Sequence, residues 1–189
     1  MICDENSFFS LIVLTPGEAE GRFALPGEPS HDKPLSLAGR AAAGALFLRY
    51  SGAEPPAPPR AAFGEQGKPY LPEHPAFHYN ISHSGAYAAA AWSPLGEIGV
   101  DLQKISKCNR SVAARCFPPE DVRLLEQTPD GEKDAAFTRL WTEYEAVVKA
   151  RGTGLLSLTG EAYSAARARL RLFHPEAPEG YALCVAVCV

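Results

Sequence analysis

Apolar positions recur along this chain with two periods. The run Phe8-Phe9-Ser10-Leu11-Ile12-Val13-Leu14 is nearly continuous and short, which predicts a first strand. Leu35, Leu46, Phe47 and Tyr50, with alanines between them, predict a helix over 35–50. The stretch Glu54-Pro55-Pro56-Ala57-Pro58-Pro59 then reads as a loop. Residues 77–82 and 86–92 predict two strands around a turn at Ser84-Gly85, and 97–102 predicts another strand.

The second half has more helix in it. A short helix starts near Pro118-Pro119-Glu120, since proline is tolerated in a first turn. A long helix runs from about Gly131 to Ala150. Its apolar residues Phe137, Leu140, Trp141, Tyr144 and Val148 fall at offsets 0, 3, 4, 7 and 11, one buried stripe. Gly152 and Gly154 end it. Two late strands, near 162–173 and 181–189, close the chain. The order strand, helix, strands, then helix, strands predicts an α+β fold of two similar lobes, although no internal sequence repeat accompanies it.

Composition removes some function classes. The net charge of −4 disfavours a general nucleic-acid binder and leaves room only for a local basic patch. No apolar run is long enough to span a membrane. Asp4 and Glu5 precede the first apolar run, where a signal peptide would carry positive charge, so the expectation is a cytoplasmic protein. The five cysteines, Cys3, Cys108, Cys116, Cys184 and Cys188, form no C-x-x-C pair and are odd in number. That argues against a disulfide framework or a zinc site. Cys184 and Cys188 share one face of the last strand and read as small buried hydrophobes.

Four clusters could carry chemistry. Glu145 and Lys149 are one helical turn apart, at the edge of the apolar stripe with Thr138 and Thr142, while Glu143 points away. That spacing alone favours a solvated salt bridge, a common helix decoration, over a carboxylate and an ammonium placed at an interface. In Ile98-Gly99-Val100-Asp101-Leu102-Gln103, Val100 and Leu102 face one side of the strand and Asp101 and Gln103 the other. An acid there is either at an exposed strand end or bound to a cation, and oxygen donors from Asp101, Gln103 and Glu145 would suit magnesium. Asn80-Ile81-Ser82-His83-Ser84 is either a plain hairpin turn or a turn offering donors to a phosphate. Gly67-Lys68-Pro69 alone is a turn with a lysine, and it is no Walker A motif. A serine hydrolase is disfavoured. Ser82 and His83 are sequence neighbours and face opposite ways, and G-x-S-x-G is absent.

The order of these clusters carries a resemblance. Gly67-Lys68-Pro69, then Phe77-x-Tyr79-Asn80-Ile81-Ser82-His83-Ser84, then Ile98-Gly99-Val100-Asp101, then Trp141-Thr-x-x-Glu145-Ala-x-x-Lys149 with Gly152-x-Gly154-Leu155 resembles the Sfp-type 4′-phosphopantetheinyl transferase family. The resemblance runs from Gly67 to Leu155, and Arg40 outside it resembles the family's coenzyme-A-contacting arginine. It implies a pseudo-dimer of two similar α/β lobes, 1–97 and 98–189, with the active site in the cleft between them. It implies a magnesium ion, coenzyme A as substrate and an acyl or peptidyl carrier protein as partner. Asp101 and Glu145 resemble the metal ligands, with Gln103 beside them. Lys149 resembles the lysine that binds the pyrophosphate, and Glu145 is the candidate base. Arg40, Lys68, Pro69, Ser82 and His83 resemble the residues that hold the nucleotide end.

Two positions depart from the family pattern. Gln103 stands where an acid is usual, which predicts weaker magnesium binding. Tyr144 stands where lysine is usual, and its place on the apolar stripe gives it a packing role. Residues 102–117 hold Lys104, Lys107, Arg110 and Arg115 and no acid. This run is either a solvated helix face or a docking surface for an acidic carrier protein. Two fused lobes imply a monomer. The rival function is a non-catalytic coenzyme-A-binding or carrier-binding relative.

Overall fold

In the computed structural model, residues 2–5, 8–26, 33–52, 55, 57–154 and 158–189 are described, 2–5 by backbone alone. Leu155 of the last motif, and Glu54 and Pro56 of the proline-rich stretch, lie outside the described residues. Strands β1 (Ile2–Glu5), β2 (Phe9–Leu14), β5 (His78–Ser84) and β6 (Tyr87–Ser93) form an antiparallel sheet in the order β1-β2-β6-β5. Strands β7 (Ile98–Lys104), β8 (Leu170–Phe173) and β9 (Tyr181–Cys188) form a second, in the order β7-β9-β8. A small hairpin of β3 (Ala62–Phe63) and β4 (Pro69–Tyr70) precedes β5. The helices are α1 (Pro16–Ala19), α2 (Pro34–Ser51), α3 (Arg110–Cys116), α4 (Pro119–Gln127), α5 (Lys133–Arg151) and α6 (Gly160–Arg167).

Strand alternation explains the layering. On β2 and β6, Ile12, Leu14, Ala88 and Ala90 face α2 and join its Ala38, Ala41, Ala42, Leu46 and Phe47 in one core. The intervening Phe9, Leu11, Val13, Ala89 and Ala91 face the other way. They meet Ile98, Val100, Leu102, Leu183, Val185 and Val187 of the second sheet. Cys184 and Ala186, on the far face of β9, pack with α5 in a third core. The layers are therefore α2, sheet, sheet, α5. Small residues set the closest approaches: Gly39 of α2 lies on Ile81 and Ala88, and Gly99 of β7 lies on the backbone of Ala146 and Ala150 in α5. Gly52 and Gly152 end α2 and α5 in the left-handed region, at φ 76° and 63°. Among the described residues no helix is long and apolar enough to cross a membrane.

The sequence reading misplaced three features. Residues 160–167 are helix, and strand occupies only Leu170–Phe173 of the expected 162–173. The alternation Arg167-Ala-Arg-Leu-Arg-Leu-Phe173 is a strand signal. The alanine-rich segment before it is a helix docked through buried Tyr163, whose ring lies 5.1 Å from that of Tyr144. Asn80–Ser84 lies wholly within β5, with the turn displaced to Gly85-Ala86. Glu143 does not point away into solvent. It is 6% exposed and its carboxylate meets Arg167 at 2.9 Å and His174 at 3.5 Å. α6 and the chain after β8 cover that face of α5, so the helix is buried on more than one side.

Candidate active site

β5 and β7 are the facing edges of the two sheets. Side chains, not a backbone ladder, join them. Asn80 Oδ1 accepts from Val100 N–H at 3.0 Å, Ser82 Oγ from Leu102 N–H at 3.1 Å, and Ser84 Oγ from Lys104 N–H at 3.1 Å. Alternation makes this possible, since 80, 82 and 84 share one face of β5. The same rule turns Asp101 of β7 toward α5, where Gly99 lets the helix come close enough to bring Glu145 and Lys149 over it.

The result is a buried cluster. Lys149 Nζ lies 2.5 Å from Asp101 Oδ1, 3.1 Å from Ser82 Oγ and 3.5 Å from Glu145 Oε2. Ser82 Oγ donates to Asp101 Oδ1 at 2.8 Å. Asp101 is 2% exposed, and the Glu145 side chain 16%. Glu145 therefore does not look into bulk solvent. Burial, and next the charge of Asp101, push the Glu145 carboxyl up to about 7 against the pull of Lys149. Burial would lower the Lys149 ammonium, but Asp101 and Glu145 outweigh it and hold it above its usual range. One ammonium thus serves two carboxylates, leaving one negative charge uncompensated when both are ionised.

These residues fit a hard cation. Asp101 Oδ2 is buried and has no hydrogen-bond partner among the described residues, an expensive state for a carboxylate oxygen. Glu145 stands beside it, its carboxyl raised first by burial and next by the charge of Asp101. Gln103 is on the same face of β7, two residues on. Oxygen donors of this kind suit magnesium. Among the described residues no group of three or more His, Cys, Asp or Glu side chains assembles into a metal site.

Lys149 lines a cleft of about 270 Å³ together with Gln66, Gly67, Lys68, Pro69, Asn80, Ile81, Val148, Gly152 and Gly154. Residues of three of the four sequence clusters meet in that one cleft, with the fourth, Asp101, behind Lys149. Lys68 is held by Glu97 and by the Ala150 carbonyl at 3.1 Å, tying the β3–β4 hairpin to the last turn of α5. Burial holds the Lys68 ammonium below its usual range despite Glu97. A larger cavity of about 530 Å³ opens on Lys68, Pro69 and Gly152 as well, but not on Lys149, and neither space is lined by Asp101 or Glu145. Ser82 and His83 part company as their positions in a strand require. Ser82 is buried against Asp101, whereas His83 is exposed and shares the α2-facing side of β5 with Ile81. Arg40 lies on α2 next to Gly39, which packs on Ile81. Tyr144 is fully buried between Trp141 and Tyr163 and donates to the Leu158 carbonyl at 2.6 Å, so packing accounts for it.

Lys104, Lys107, Arg110 and Arg115 are all exposed. Their segment is pinned to α5: Ser106 N–H donates to Thr138 Oγ1 at 3.1 Å, and Cys108 N–H donates to Asp134 Oδ1 at 2.9 Å. Asn109 caps α3 through Val112 N–H. Sequence reasoning placed Thr138 at the stripe edge but missed its role and that of Asp134. An Asp in a helix's first turn and a Thr one turn later are weak signals without the loop they hold.

Comparison with known proteins follows the same residues. Positions 97–181 match the family described as "4'-phosphopantetheinyl transferase superfamily". The chain is 34% identical over 116 residues to "4'-phosphopantetheinyl transferase psf-1" of Bacillus pumilus, covering 59% of this chain and 49% of that protein. It is 33% identical over 129 residues to a "4'-phosphopantetheinyl transferase" of Bacillus subtilis, covering 67% and 57%. It is 34% identical over 91 residues to "4'-phosphopantetheinyl transferase Sfp" of Bacillus subtilis (strain 168), covering 48% and 40%. The chain spans about half the length of the curated relatives it matches.

Proposed function

We propose, from the premise that residues 97–181 belong to the 4′-phosphopantetheinyl transferase superfamily, that this chain transfers the 4′-phosphopantetheine arm of coenzyme A to a serine of an acyl or peptidyl carrier protein. The observation that carries the proposal is Lys149 lying 2.5 Å from Asp101 and 3.5 Å from Glu145 at the wall of a cleft. The substrate brings a pyrophosphate, and transfer requires its charge to be neutralised where it develops. Asp101, Glu145 and Gln103 would hold magnesium, which when bound neutralises that charge.

The chain's own residues do the rest. Lys149 binds the pyrophosphate and steadies the oxygen that leaves. The carrier serine oxygen forms a bond to the β-phosphorus, the bond from that phosphorus to the bridging oxygen breaks, and 3′,5′-ADP departs with the electron pair. Glu145 takes the hydroxyl proton. Without a cation, burial pushes this carboxyl up to about 7; a cation bound beside it would draw it down and keep it in the ionised form that accepts a proton. Lys68 and Pro69 from the cleft wall, with Arg40 and His83 at the α2 side of β5, hold the nucleotide end. The two sheets, each with its own helix, support reading 1–97 and 98–189 as paired lobes. The exposed Lys104, Lys107, Arg110 and Arg115 receive the acidic carrier.

Incubating the chain with apo-carrier protein, coenzyme A and magnesium tests this directly. The carrier should gain the mass of phosphopantetheine on a serine. Coenzyme A binding with no mass gain would instead identify a non-catalytic relative.

A further inference from the structure

We infer that Glu97 competes with coenzyme A for Lys68: it holds the ammonium in a clamp that a phosphate of the nucleotide end has to break, and so limits how tightly that end binds. The inference rests on the transferase reading, because it takes Lys68 to hold the nucleotide end.

The first ground is where the Lys68 ammonium is spent. An ammonium has three protons to donate. Lys68 Nζ donates to a Glu97 carboxylate oxygen and to the Ala150 carbonyl at 3.1 Å. Its stem lies beside Gly152, where an added Cβ would come within 3.6 Å of the Lys68 Cδ. One donor is left for a phosphate oxygen. Lys68 lines both the cleft of Lys149 and the larger cavity, whereas Glu97 lines only the larger of the two. The ion pair therefore draws the ammonium toward the cavity and away from the cleft.

The second ground is that Glu97 is held in place by more than Lys68. It immediately precedes β7, and its carbonyl accepts from Cys188 N–H at 2.9 Å. Its second carboxylate oxygen lies 3.3 Å from His78 Nδ1. Burial would raise the Glu97 carboxyl, but Lys68 and His78 outweigh it and hold it below its usual range, so it is ionised near neutrality. A phosphate approaching Lys68 meets a negative charge already seated there.

The third ground is exposure. The Lys68 side chain is 17% exposed and that of Glu97 57%. A carboxylate this open to water holds its partner weakly. A phosphate monoester carries more charge than a carboxylate near neutrality and can take its place. The clamp is breakable, and breaking it subtracts from substrate affinity.

The test uses the full chain, with Glu97→Gln, Lys68→Met and the double variant beside it. Calorimetry with 3′,5′-ADP in EDTA at low salt reads the nucleotide end alone, and urea unfolding reads the fold. Glu97→Gln should bind 3′,5′-ADP about threefold or more tightly, with a urea midpoint equal to wild type or lower. Lys68→Met should bind it more weakly, and adding Glu97→Gln to Lys68→Met should bring no gain. Tighter binding without added stability is not what loss of a purely structural contact produces. Should Glu97→Gln fail to fold, Glu97→Asp, whose carboxylate stops one carbon short of Lys68, carries the same comparison with the same sign. A role for Glu97 in keeping the half-buried Lys68 charged has the opposite sign: weaker 3′,5′-ADP binding in Glu97→Gln would establish it and overturn the inference. An equal gain in the Lys68→Met background would also overturn it, by showing simple repulsion of the phosphate. Unchanged affinity in Glu97→Gln beside a wild-type chain that binds 3′,5′-ADP defeats this inference alone. A wild-type chain that binds neither 3′,5′-ADP nor coenzyme A defeats the functional reading, and this one with it.

Discussion

Gly99 of β7 lies against the carbonyl of Ala146 in α5 so closely that a Cβ at position 99 would collide with it. The Ala150 amide crowds the same spot. Both obstacles are backbone, so neither can rotate aside. The absent side chain of Gly99 therefore sets the distance between the strand bearing Asp101 and the helix bearing Glu145 and Lys149. Gly99→Ala should drive the two apart, destabilise the fold by about 1–3 kcal/mol or more, and reduce transfer by at least tenfold. Urea unfolding alongside the mass assay reads both. A variant of wild-type stability and activity would show that this contact does not govern the site.

Proton linkage gives a second prediction. Glu145, at about 7 in the folded chain against 4.5 ordinarily, keeps a proton over a range where the unfolded chain has lost it. Metal-free protein should therefore lose stability as pH rises from about 4.5 to about 7, with no further loss from this group above that. The size is on the order of 3 kcal/mol at most. Glu145→Gln cannot ionise and should flatten this component. Denaturation curves at pH 5 and pH 8 for both proteins isolate it, and parallel pH dependences would refute the assignment.

Gln103 supplies a third. It lies on the Asp101 face of β7, and a neutral amide attracts a divalent cation less than a carboxylate does. Gln103→Glu should lower the magnesium concentration for half-maximal activity roughly tenfold, because affinity follows the charge of the ligand set. An unchanged requirement would place residue 103 outside the cation's reach.

The exposed basic segment supplies a fourth. Lys107→Glu with Arg110→Glu should raise the carrier-protein KM roughly tenfold at low salt, and less at high salt. The coenzyme A KM should hold steady. If both constants rise together, the segment is not a carrier-docking surface.

Much of the framework was legible because its signals are local. The alanine-rich α2, the α5 stripe ending at Gly152 and the alternation in β7 each announce themselves within a few turns of chain. α6 was lost because the alternating Arg167–Phe173 segment overlaps its end, and because the contact that makes it helical, Tyr163 on Tyr144, is long-range. Glu143 was misjudged for a related reason. A helical wheel knows one partner face, whereas α5 is covered on several, and Arg167 meets Glu143 from 24 residues away. Within the site, the residue types and their order were readable, and so was the opposite facing of Ser82 and His83. The use of Ser82 was not. Its partners Asp101 and Lys149 come from two other elements, and only their meeting fills its hydroxyl.

The seam of Asn80, Ser82 and Ser84 has one more consequence. Bare strand margins invite strangers: an unsatisfied row of amides will zip onto any extended peptide that drifts past. Here the amides of Val100, Leu102 and Lys104 are already occupied by side chains of β5, so the two inner margins shield each other. Among the described residues, the margins of the two larger sheets left open to fibril-like growth are therefore the outer ones, β1 and β8.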